Sequence, residues 1–409
     1  MPYKALSFDK MLDKIFDKQG DMQLNNIWQD PTTLRVDTYK SGRFTFSLGV
    51  DIDALTPLLD RVSDAQKRLN SIPTLPSVVD ALSERVLASS IYSTNTIEGG
   101  EYSELETAQL LKQDPKTLQS LNEIRLLNLK TAWQWVKQTS STTKVNTYGN
   151  APITPALAIH IHRLVCQGLD ETIAGQYRDN QQGQKTLVGN EHSGGAYRPP
   201  KCLDDINYLM HCLCEWANSD ALMATNAVIR ACLIHYYFEL IHPFWDGNGR
   251  TGRLLEMLLL EQAGYHFSSS AIWRYYEQNI TQYFALFNHC RKLASKTPNP
   301  NQAFAQFVLD GLFVTINELH DQTNQLLKTL LLQSELIKAR TNKQINDRQF
   351  NLMAYLTDTG TALKQSELIA LPAVKAIYQG KSDRTFYRDV KGLLDLGLLK
   401  DNGKLSLND

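Results

Sequence analysis

The amino-acid sequence predicts a mainly α-helical protein of two or three domains. The chain has 409 residues, which is more than one hydrophobic core usually organises. From about residue 52 to residue 338, apolar residues recur at the three- and four-residue spacing of a helix face. Hydrophobic residues make up 43% of the chain, as in ordinary globular proteins, and the formal net charge of -1 creates no global field for nucleic acid or an acidic membrane.

The predicted helices follow one another with short interruptions. The first covers Ile52–Leu69, and Pro73 and Pro76 separate it from the next helix. The other helices predicted before residue 340 are Ser77–Ser93, Glu123–Val136, Pro155–Cys166, Leu203–Trp216, Ala224–Leu240, Arg250–Gln262, Ile272–Leu293 and Gln302–Lys338.

Two parts of the chain favour β-structure. Short strands are expected in Thr33–Tyr39 and Arg43–Val50, where β-branched and aromatic residues alternate loosely with polar ones. Residues 171–200 contain many Gly, Asn and Gln residues and end in Tyr-Arg-Pro-Pro, which is the composition of a loop or a β-hairpin. We therefore expect one hairpin inserted in a helical domain.

The last part of the chain resembles a winged-helix module. Its expected order is three helices followed by a small hairpin: Arg348–Leu356, Lys364–Leu368, Asp383–Leu396 and Leu398–Leu407. Ser382 or Asp383 can cap the third helix. Arg384, Arg388 and Lys391 share one face of it and could follow DNA phosphates. Interspersed aspartates dilute that face, so a packing or dimerisation module is the alternative.

The sequence contains no sign of export or of a structural metal. The N-terminus has no apolar run of signal-peptide type, and no stretch reaches 18 apolar residues, so we expect a cytoplasmic protein without membrane contact. Cys212 and Cys214 are two positions apart, but no second close pair follows them. Zinc sites usually need such a second pair, so the six cysteines are expected to be reduced thiols.

One segment carries the chemistry: His242-Pro-Phe-Trp-Asp-Gly-Asn-Gly-Arg-Thr-Gly-Arg253. Gly247 and Gly249 let the backbone adopt conformations closed to other residues, so their N–H groups can converge on an anion. The next helix begins here, and the free N–H groups at its start also favour an anion. Arg250 and Arg253 lie three apart and can hold several phosphate oxygens.

The same segment supplies a base and a metal ligand. His242 stands just before the loop, and the ordinary pKa of an imidazole, about 6.5, suits a general base. Asp246 offers a hard oxygen ligand for Mg²⁺ beside the phosphates. A Gly-Asn-Gly turn alone would fit a capped helix start with a surface histidine, but the whole segment is far more specific.

The segment matches the pattern HxFx(D/E)GNGRxxR at every defined position, and the chain therefore resembles the Fic family. The resemblance extends over about residues 77–330. It implies a Fic helical core with a β-hairpin flap, an N-terminal helical extension and a C-terminal winged helix. The expected domains are 1–76, then 77–335 including an inhibitory helix 77–99, then 341–409.

The resemblance implies an activity and a role for each motif residue. A protein adenylyltransferase moves AMP from ATP to a Ser, Thr or Tyr hydroxyl of a protein, which can be the enzyme itself. His242 would deprotonate that hydroxyl, Phe244 would anchor the loop in the core, and Asp246 would hold Mg²⁺. The ATP phosphates would be held by Gly247, Asn248, Gly249, Arg250, Thr251, Gly252 and, at the γ-phosphate, Arg253.

Two further sets of residues follow from the resemblance. Adenine would lie near Tyr283 and Phe284, where the family often has paired tyrosines. The segment Gly175-Gln-Tyr-Arg178 and the residues that follow resemble the flap, which docks the target segment by strand addition. The docking residues would be Leu187, Val188 and Gly189.

A second motif precedes the core. Thr94-x-x-x-Glu98-Gly99 matches (S/T)xxxE(G/N), the inhibitory helix of self-restrained Fic proteins. The resemblance implies that Glu98 pairs with Arg253 and draws it away from the γ-phosphate, which leaves ATP in an unproductive pose. Without the resemblance, Glu98 would be a solvated carboxylate at a helix end.

Other functions remain open at this point. With Glu98 aligning a water molecule, the same site could remove AMP from a modified protein, alone or in addition to transfer. Alternatively, the chain is a DNA-binding regulator whose Fic site senses ATP. DNA and a second copy of the chain stay open as partners beside ATP and the protein target.

Overall fold

The computed structural model describes residues 26–72, 75–117, 120–169, 174–180, 186–189, 195–360 and 362–407. The chain divides into two compact units. The first comprises the described residues up to Ser71 together with Ala81–Leu319, and the second comprises Ile72–Asp80 and His320–Asp409.

An antiparallel sheet of strands β1, β2 and β3 opens the first unit, in that spatial order. The strands are Asn26–Asp30, Thr33–Asp37 and Arg43–Ser47. The second and third strands confirm the prediction with shorter ends, whereas β1 was not predicted. Its five residues are all exposed, so its side chains carry no alternation of buried and exposed positions.

Helices form most of the first unit, as predicted. They are α1 Ile52–Asn70, α3 Glu104–Leu110, α4 Leu121–Thr142, α5 Pro155–Cys166, α6 Leu203–Ala217, α7 Asp220–Met223, α8 Ala227–Ile241, α9 Asn248–Gln262, α10 Ser268–Gln278 and α11 Ile280–Leu293. Residues 81–97 of α2 Pro76–Ile97 and residues 302–319 of α12 Gln302–Thr341 also belong to this unit, and the rest of these two helices belongs to the second. Pro115–Thr117 adds a 3₁₀ turn.

Helices α8 and α9 occupy the centre of this unit. They pack against each other, and α9 also packs against α4 and α5. Nearly every side chain of both helices is buried, including the polar His235 and Glu256. The connection from Ile241 to Asn248 is therefore held between two rigid, buried elements, and the precise placement of a catalytic group benefits from such support.

The structure corrects several predicted boundaries. The helix predicted over Ile272–Leu293 is two helices, because Asn279 has φ -113 and ψ 32 and leaves the helical conformation. Helix α2 continues beyond the predicted Ser93 to Ile97, which brings Glu98 to its immediate end. The short helix α7 was not predicted separately from α8.

The second unit contains helices α13 Asp347–Thr359, α14 Gln365–Leu368, α15 Pro372–Ile377 and α16 Asp383–Asp395, followed by an antiparallel pair of strands. The strands are β4 Leu399–Asp401 and β5 Leu405–Leu407. Leu352, Phe386 and Val390 lie in its apolar core. Helix α15 was not predicted, and Ser382 precedes α16 without a capping side-chain hydrogen bond. The winged-helix assignment stays a prediction.

Within the described parts of the chain, none of the helices combines the length and the apolar character needed to cross a bilayer.

Candidate active site

The segment from His242 to Gly247 forms the predicted loop between α8 and α9. His242 caps α8 in the left-handed conformation, with φ 50 and ψ 61, and its N–H donates to the carbonyl of Phe238 at 2.9 Å. A non-glycine residue adopts this conformation at an energetic cost, which the surroundings must offset. Gly247 precedes α9 with φ 77, a conformation suited to glycine.

Phe244 and Asn248 close the loop. Phe244 is completely buried, which confirms that it anchors the loop in the core. The Asn248 side chain accepts from the Phe244 N–H at 2.9 Å and donates to the Phe244 carbonyl at 2.8 Å. Each polar atom of its amide thus makes one hydrogen bond that supports the shape of the loop. Its contact with the phosphates stays a prediction.

His162 of α5 lies behind the loop and was not singled out from the sequence. Its ring stacks on Phe244 with centroids 3.6 Å apart. The Gly175 N–H donates to Nδ1 at 2.8 Å, so Nε2 carries the proton that reaches the Asp246 carbonyl at 2.9 Å. Burial lowers the pKa of His162 to about 4, which keeps the ring neutral at pH 7. It joins the loop to the segment that begins at Gly175.

Arg178 holds the backbone of the predicted base. Its Nε donates to the His242 carbonyl at 2.6 Å, and its Nη2 donates to the Ile241 carbonyl at 3.3 Å. The side chain is fully buried. Burial lowers the pKa of Arg178 to about 10, so it stays charged at pH 7 and complements the negative end of α8. The sequence placed Arg178 in the flap motif without assigning this contact.

His242 lines a cavity of about 280 Å³. Glu98, Gly249, Arg253 and Phe284 line the same cavity. Glu239, one helical turn earlier on α8, lines it as well, and its Oε2 lies 3.7 Å from Nδ1 of His242. The predicted base and the predicted γ-phosphate arginine thus line one cavity. Glu239 was not singled out from the sequence, although its position one helical turn before His242 could have indicated this contact.

Asp246 and Arg250 form an ion pair at the start of α9, with Oδ2 and Nη2 2.7 Å apart. Arg250 is buried, and its Nε and Nη1 have no hydrogen-bond partner in the structure. Burial alone would raise the pKa of the Asp246 carboxyl, but Arg250 and the Gly247 N–H outweigh it and hold that pKa below its usual value. The loop therefore presents unused donors beside an ionised carboxylate.

The metal expectation rests on Asp246 alone. Among the described residues, no group of three or more His, Cys, Asp and Glu side chains could hold a metal ion. Magnesium is commonly bound by one or two carboxylates together with substrate phosphates, and the half-exposed Asp246 carboxylate fits that arrangement.

Arg253 and the end of α2 meet as the second motif predicted. Nη2 of Arg253 donates to Oε1 of Glu98 at 2.6 Å, and Nε donates to Oγ1 of Thr94 at 2.9 Å. Thr94 and Glu98 are four apart, so both side chains leave the same face of the helix. Burial lowers the pKa of Arg253, but Glu98 and Tyr283 outweigh it and the pKa is raised. The predicted pairing is confirmed.

Two glycines shape this contact. Gly99 follows Glu98 with φ 79, and its N–H donates to the Thr96 carbonyl at 2.9 Å, which ends α2. At Gly249, a Cβ would collide with Oε1 of Glu98. The Glu98 carboxylate therefore rests directly on the first turn of α9, the place where a helix start favours an anion.

The comparison with protein families addresses this region directly. Residues 152–260 match the model of the Fic/DOC family. The chain carries a Fic/DOC domain. The matched range contains the 242–253 segment together with His162 and Arg178, whereas Glu98, Tyr283 and Phe284 lie outside it.

Curated proteins similar to this chain are named protein adenylyltransferases. The chain is 30% identical over 210 residues to the protein adenylyltransferase Fic of Aedes aegypti, covering 50% of this chain and 38% of that one. It is 32% identical over 211 residues to the protein of the same name from Culex quinquefasciatus, covering 51% and 38%. The chain thus spans less than two fifths of the length of these relatives.

A solved structure is similar in fold to this chain. It is a Fic domain containing signaling protein from Bacteroides thetaiotaomicron, with a TM-score of 0.51 and 19% sequence identity. The match covers 65% of this chain and 97% of that one.

The remaining predicted ATP contacts divide into two groups. Phe284 is partly exposed in the cavity. Tyr283 lines it too, but its ring is almost completely buried and stacks on Tyr276, with centroids 4.8 Å apart. Thr251 is fully buried, and a Cβ at Gly252 would lie 2.6 Å from Oε1 of Glu239. Contacts of these four residues with ATP stay predictions.

The structure describes part of the predicted flap. Val188 and Tyr197 exchange two backbone hydrogen bonds, of 3.0 and 2.9 Å, as an antiparallel pair would. Leu187 is exposed, and Val188 and Gly189 line the cavity. The predicted region 171–200 also includes 171–173, 181–185 and 190–194, which lie outside the described residues. The docking role of Leu187, Val188 and Gly189 stays a prediction.

Proposed function

We propose that this protein transfers AMP from ATP to a hydroxyl side chain of a protein and that Glu98 restrains the reaction. The observation that carries the proposal is the shared cavity, which His242, Gly249 at the start of α9 and Arg253 line together. The names of the curated relatives support the same reaction class.

The proposed reaction assigns one role to each side chain of the site. His242 accepts the proton of the target hydroxyl, the hydroxyl oxygen forms a bond to the α-phosphorus, and the bond to the bridging oxygen breaks so that pyrophosphate leaves. Arg250 supplies its unused N–H groups to the phosphates, and Arg253 binds the γ-phosphate. Magnesium, when bound beside Asp246, neutralises phosphate charge. Most of the catalysis is positioning and charge stabilisation.

Glu98 competes for the same groups. Its carboxylate takes Nη2 of Arg253 and rests on Gly249, where the nucleotide phosphates would otherwise interact. With Arg253 engaged, the terminal phosphates lack their cation and the α-phosphorus is not aligned with the hydroxyl. This restraint can be released because Glu98 follows the last residue of α2 and its side chain is 22% exposed.

The test is incubation of Glu98→Gly protein with α-labelled ATP, read by gel and mass spectrometry. Auto-AMPylation should rise about tenfold or more, since about 1.4 kcal/mol of released restraint is a factor of ten. Adding Arg253→Ala should remove the gain. Glu101→Gly, at an exposed acid nearby, is the matched control.

Two other outcomes separate the alternatives. A rate within about twofold of the parent would make Glu98 a solvated helix end and overturn the restraint. If Glu98→Gly gains transfer but loses the ability to remove AMP from a modified protein, Glu98 also activates water for the reverse reaction. The protein would then be a bifunctional enzyme.

A further inference from the structure

A line of hydrogen-bonded, buried side chains extends from Arg253 through Tyr283 and His235 to Glu256. Nη1 of Arg253 lies 3.5 Å from the Tyr283 hydroxyl, and that hydroxyl lies 3.0 Å from Nε2 of His235. Nδ1 of His235 lies 3.1 Å from Oε2 of Glu256. All four side chains are at most 1% exposed. None of the predicted roles requires His235 or Glu256.

The donors and acceptors of this line fit one consistent arrangement. The arginine can only donate, so the Tyr283 oxygen accepts from it. The Tyr283 O–H then donates to Nε2 of His235, and the proton on Nδ1 donates to Glu256. Burial raises the pKa of Tyr283, which keeps the phenol protonated as this arrangement requires. Each group donates once along the line, which ends on a carboxylate.

This hydrogen-bonded line is held by different structural elements from the one that carries Glu98. Its members come from α8, α9 and α11, and His235 and Glu256 lie on the two central helices. A fully buried carboxylate is costly unless it is hydrogen-bonded, and Tyr276 adds a second donor to Glu256 at 3.1 Å. This end of the network cannot move without disrupting the core.

We propose that Tyr283, His235 and Glu256 are positioning residues that hold Arg253 ready for the terminal phosphate of the nucleotide. The inference rests on the proposed function, in which Arg253 binds that phosphate. When Glu98 leaves, Arg253 loses its only direct carboxylate partner among the described residues. The hydrogen-bonded line of Tyr283, His235 and Glu256, which we call the relay, stays in place and holds the guanidinium. The entropy cost of ordering Arg253 is therefore already met before ATP binds.

The relay predicts an effect confined to nucleotides that carry a γ-phosphate. In a Glu98→Gly background, Tyr283→Phe should raise the Kd for ATP about tenfold, the factor typical of one lost hydrogen bond to a charged group. The Kd for ADP should stay within twofold. His235→Gln interrupts the relay one step further on and should produce the same selective loss. Isothermal titration calorimetry measures both constants, and thermal melting confirms folding.

Tyr237→Phe is the matched control. Tyr237 is also buried and its hydroxyl is hydrogen-bonded, to Ser47 and Asn301, but it has no connection to Arg253 in the described structure. It should leave the ATP and ADP constants unchanged.

The outcomes separate the relay from the proposed function. If Tyr283→Phe and His235→Gln weaken the binding of ATP and ADP equally, or change neither affinity, the relay is overturned. This holds whether or not AMP is transferred. If both variants weaken ATP selectively while the Glu98→Gly protein transfers no AMP, the relay stands and the transfer reaction fails.

Discussion

The two units of this protein differ in how exposed particular basic side chains are. In the first unit, the arginines Arg178, Arg230, Arg250 and Arg253 are at most 1% exposed. In the second, the core cluster is apolar, and the basic residues of α16, Arg384, Arg388 and Lys391, are exposed.

The difference indicates that the buried arginines have roles other than keeping the protein in solution. Removing a charged group from water costs several kcal/mol unless good hydrogen bonds compensate. Arg230 donates to the backbone carbonyls of Ala217 at 2.9 Å and Ala151 at 3.0 Å and to Oδ1 of Asn218 at 3.4 Å, and it joins these segments. Arg250 and Arg253 instead form ion pairs with the partly exposed carboxylates of Asp246 and Glu98. Pairing with a partly exposed carboxylate distinguishes the two arginines that we expect a nucleotide to use.

The largest effect is expected at the base. In the Glu98→Gly background, His242→Ala should lower AMP transfer by about 10²–10⁴-fold, the usual contribution of general acid-base catalysis. ATP affinity should survive, because the imidazole faces the hydroxyl and not the phosphates. Labelled transfer and calorimetry measure the two quantities, and His289→Ala, at an exposed histidine of α11, is the control. Near-parental transfer would refute the assignment.

The next effect concerns the ion pair at the start of α9. Asp246→Ala and Arg250→Ala should each lower turnover by about 10²–10³-fold, which corresponds to about 3 kcal/mol of lost charge stabilisation. EDTA should stop the parent reaction, and added Mg²⁺ should restore it. Asp64→Ala, at an exposed acid on α1, controls for the loss of a carboxylate. Full activity in EDTA would remove the metal role from Asp246.

A smaller effect distinguishes two buried arginines. Arg178→Lys cannot reproduce the two-pronged contact with the carbonyls of Ile241 and His242, so we expect kcat to fall about tenfold with little change in KM for ATP. Arg230→Lys loses a similar pair of carbonyl contacts away from the site and should lower the melting temperature without a selective loss of kcat. Equal kinetic effects of the two substitutions would contradict a role of Arg178 in placing His242.

The smallest effect is expected in the second unit. Replacing Arg384, Arg388 and Lys391 together by Ala should leave AMP transfer within about twofold. These exposed side chains belong to the second unit, whereas the 242–253 segment belongs to the first. The same variant tests the DNA hypothesis. If the exposed face contacts phosphates, the parent should bind duplex DNA with a salt-dependent affinity that the variant lacks. Salt-independent or unchanged binding would exclude this face.

The sequence by itself determined the local features of the protein. Helical spacing located most helices, and the run of glycines and arginines identified the loop from His242 to Arg253. The pairing of Glu98 with Arg253, which are 155 positions apart, was implied by the resemblance of both segments to family motifs. The helices and the loop are encoded by neighbours in the chain, where spacing and residue type are sufficient.

Only the tertiary structure decided which distant side chains support the loop. His162 and Arg178 contact the loop from more than 60 positions away in the chain. Tyr283 reaches His235 from 48 positions away. Asn248 turns its amide inward because the loop backbone needs both of its hydrogen bonds once Phe244 is buried. Such contacts arise from the packing of helices in space, and no local periodicity records them.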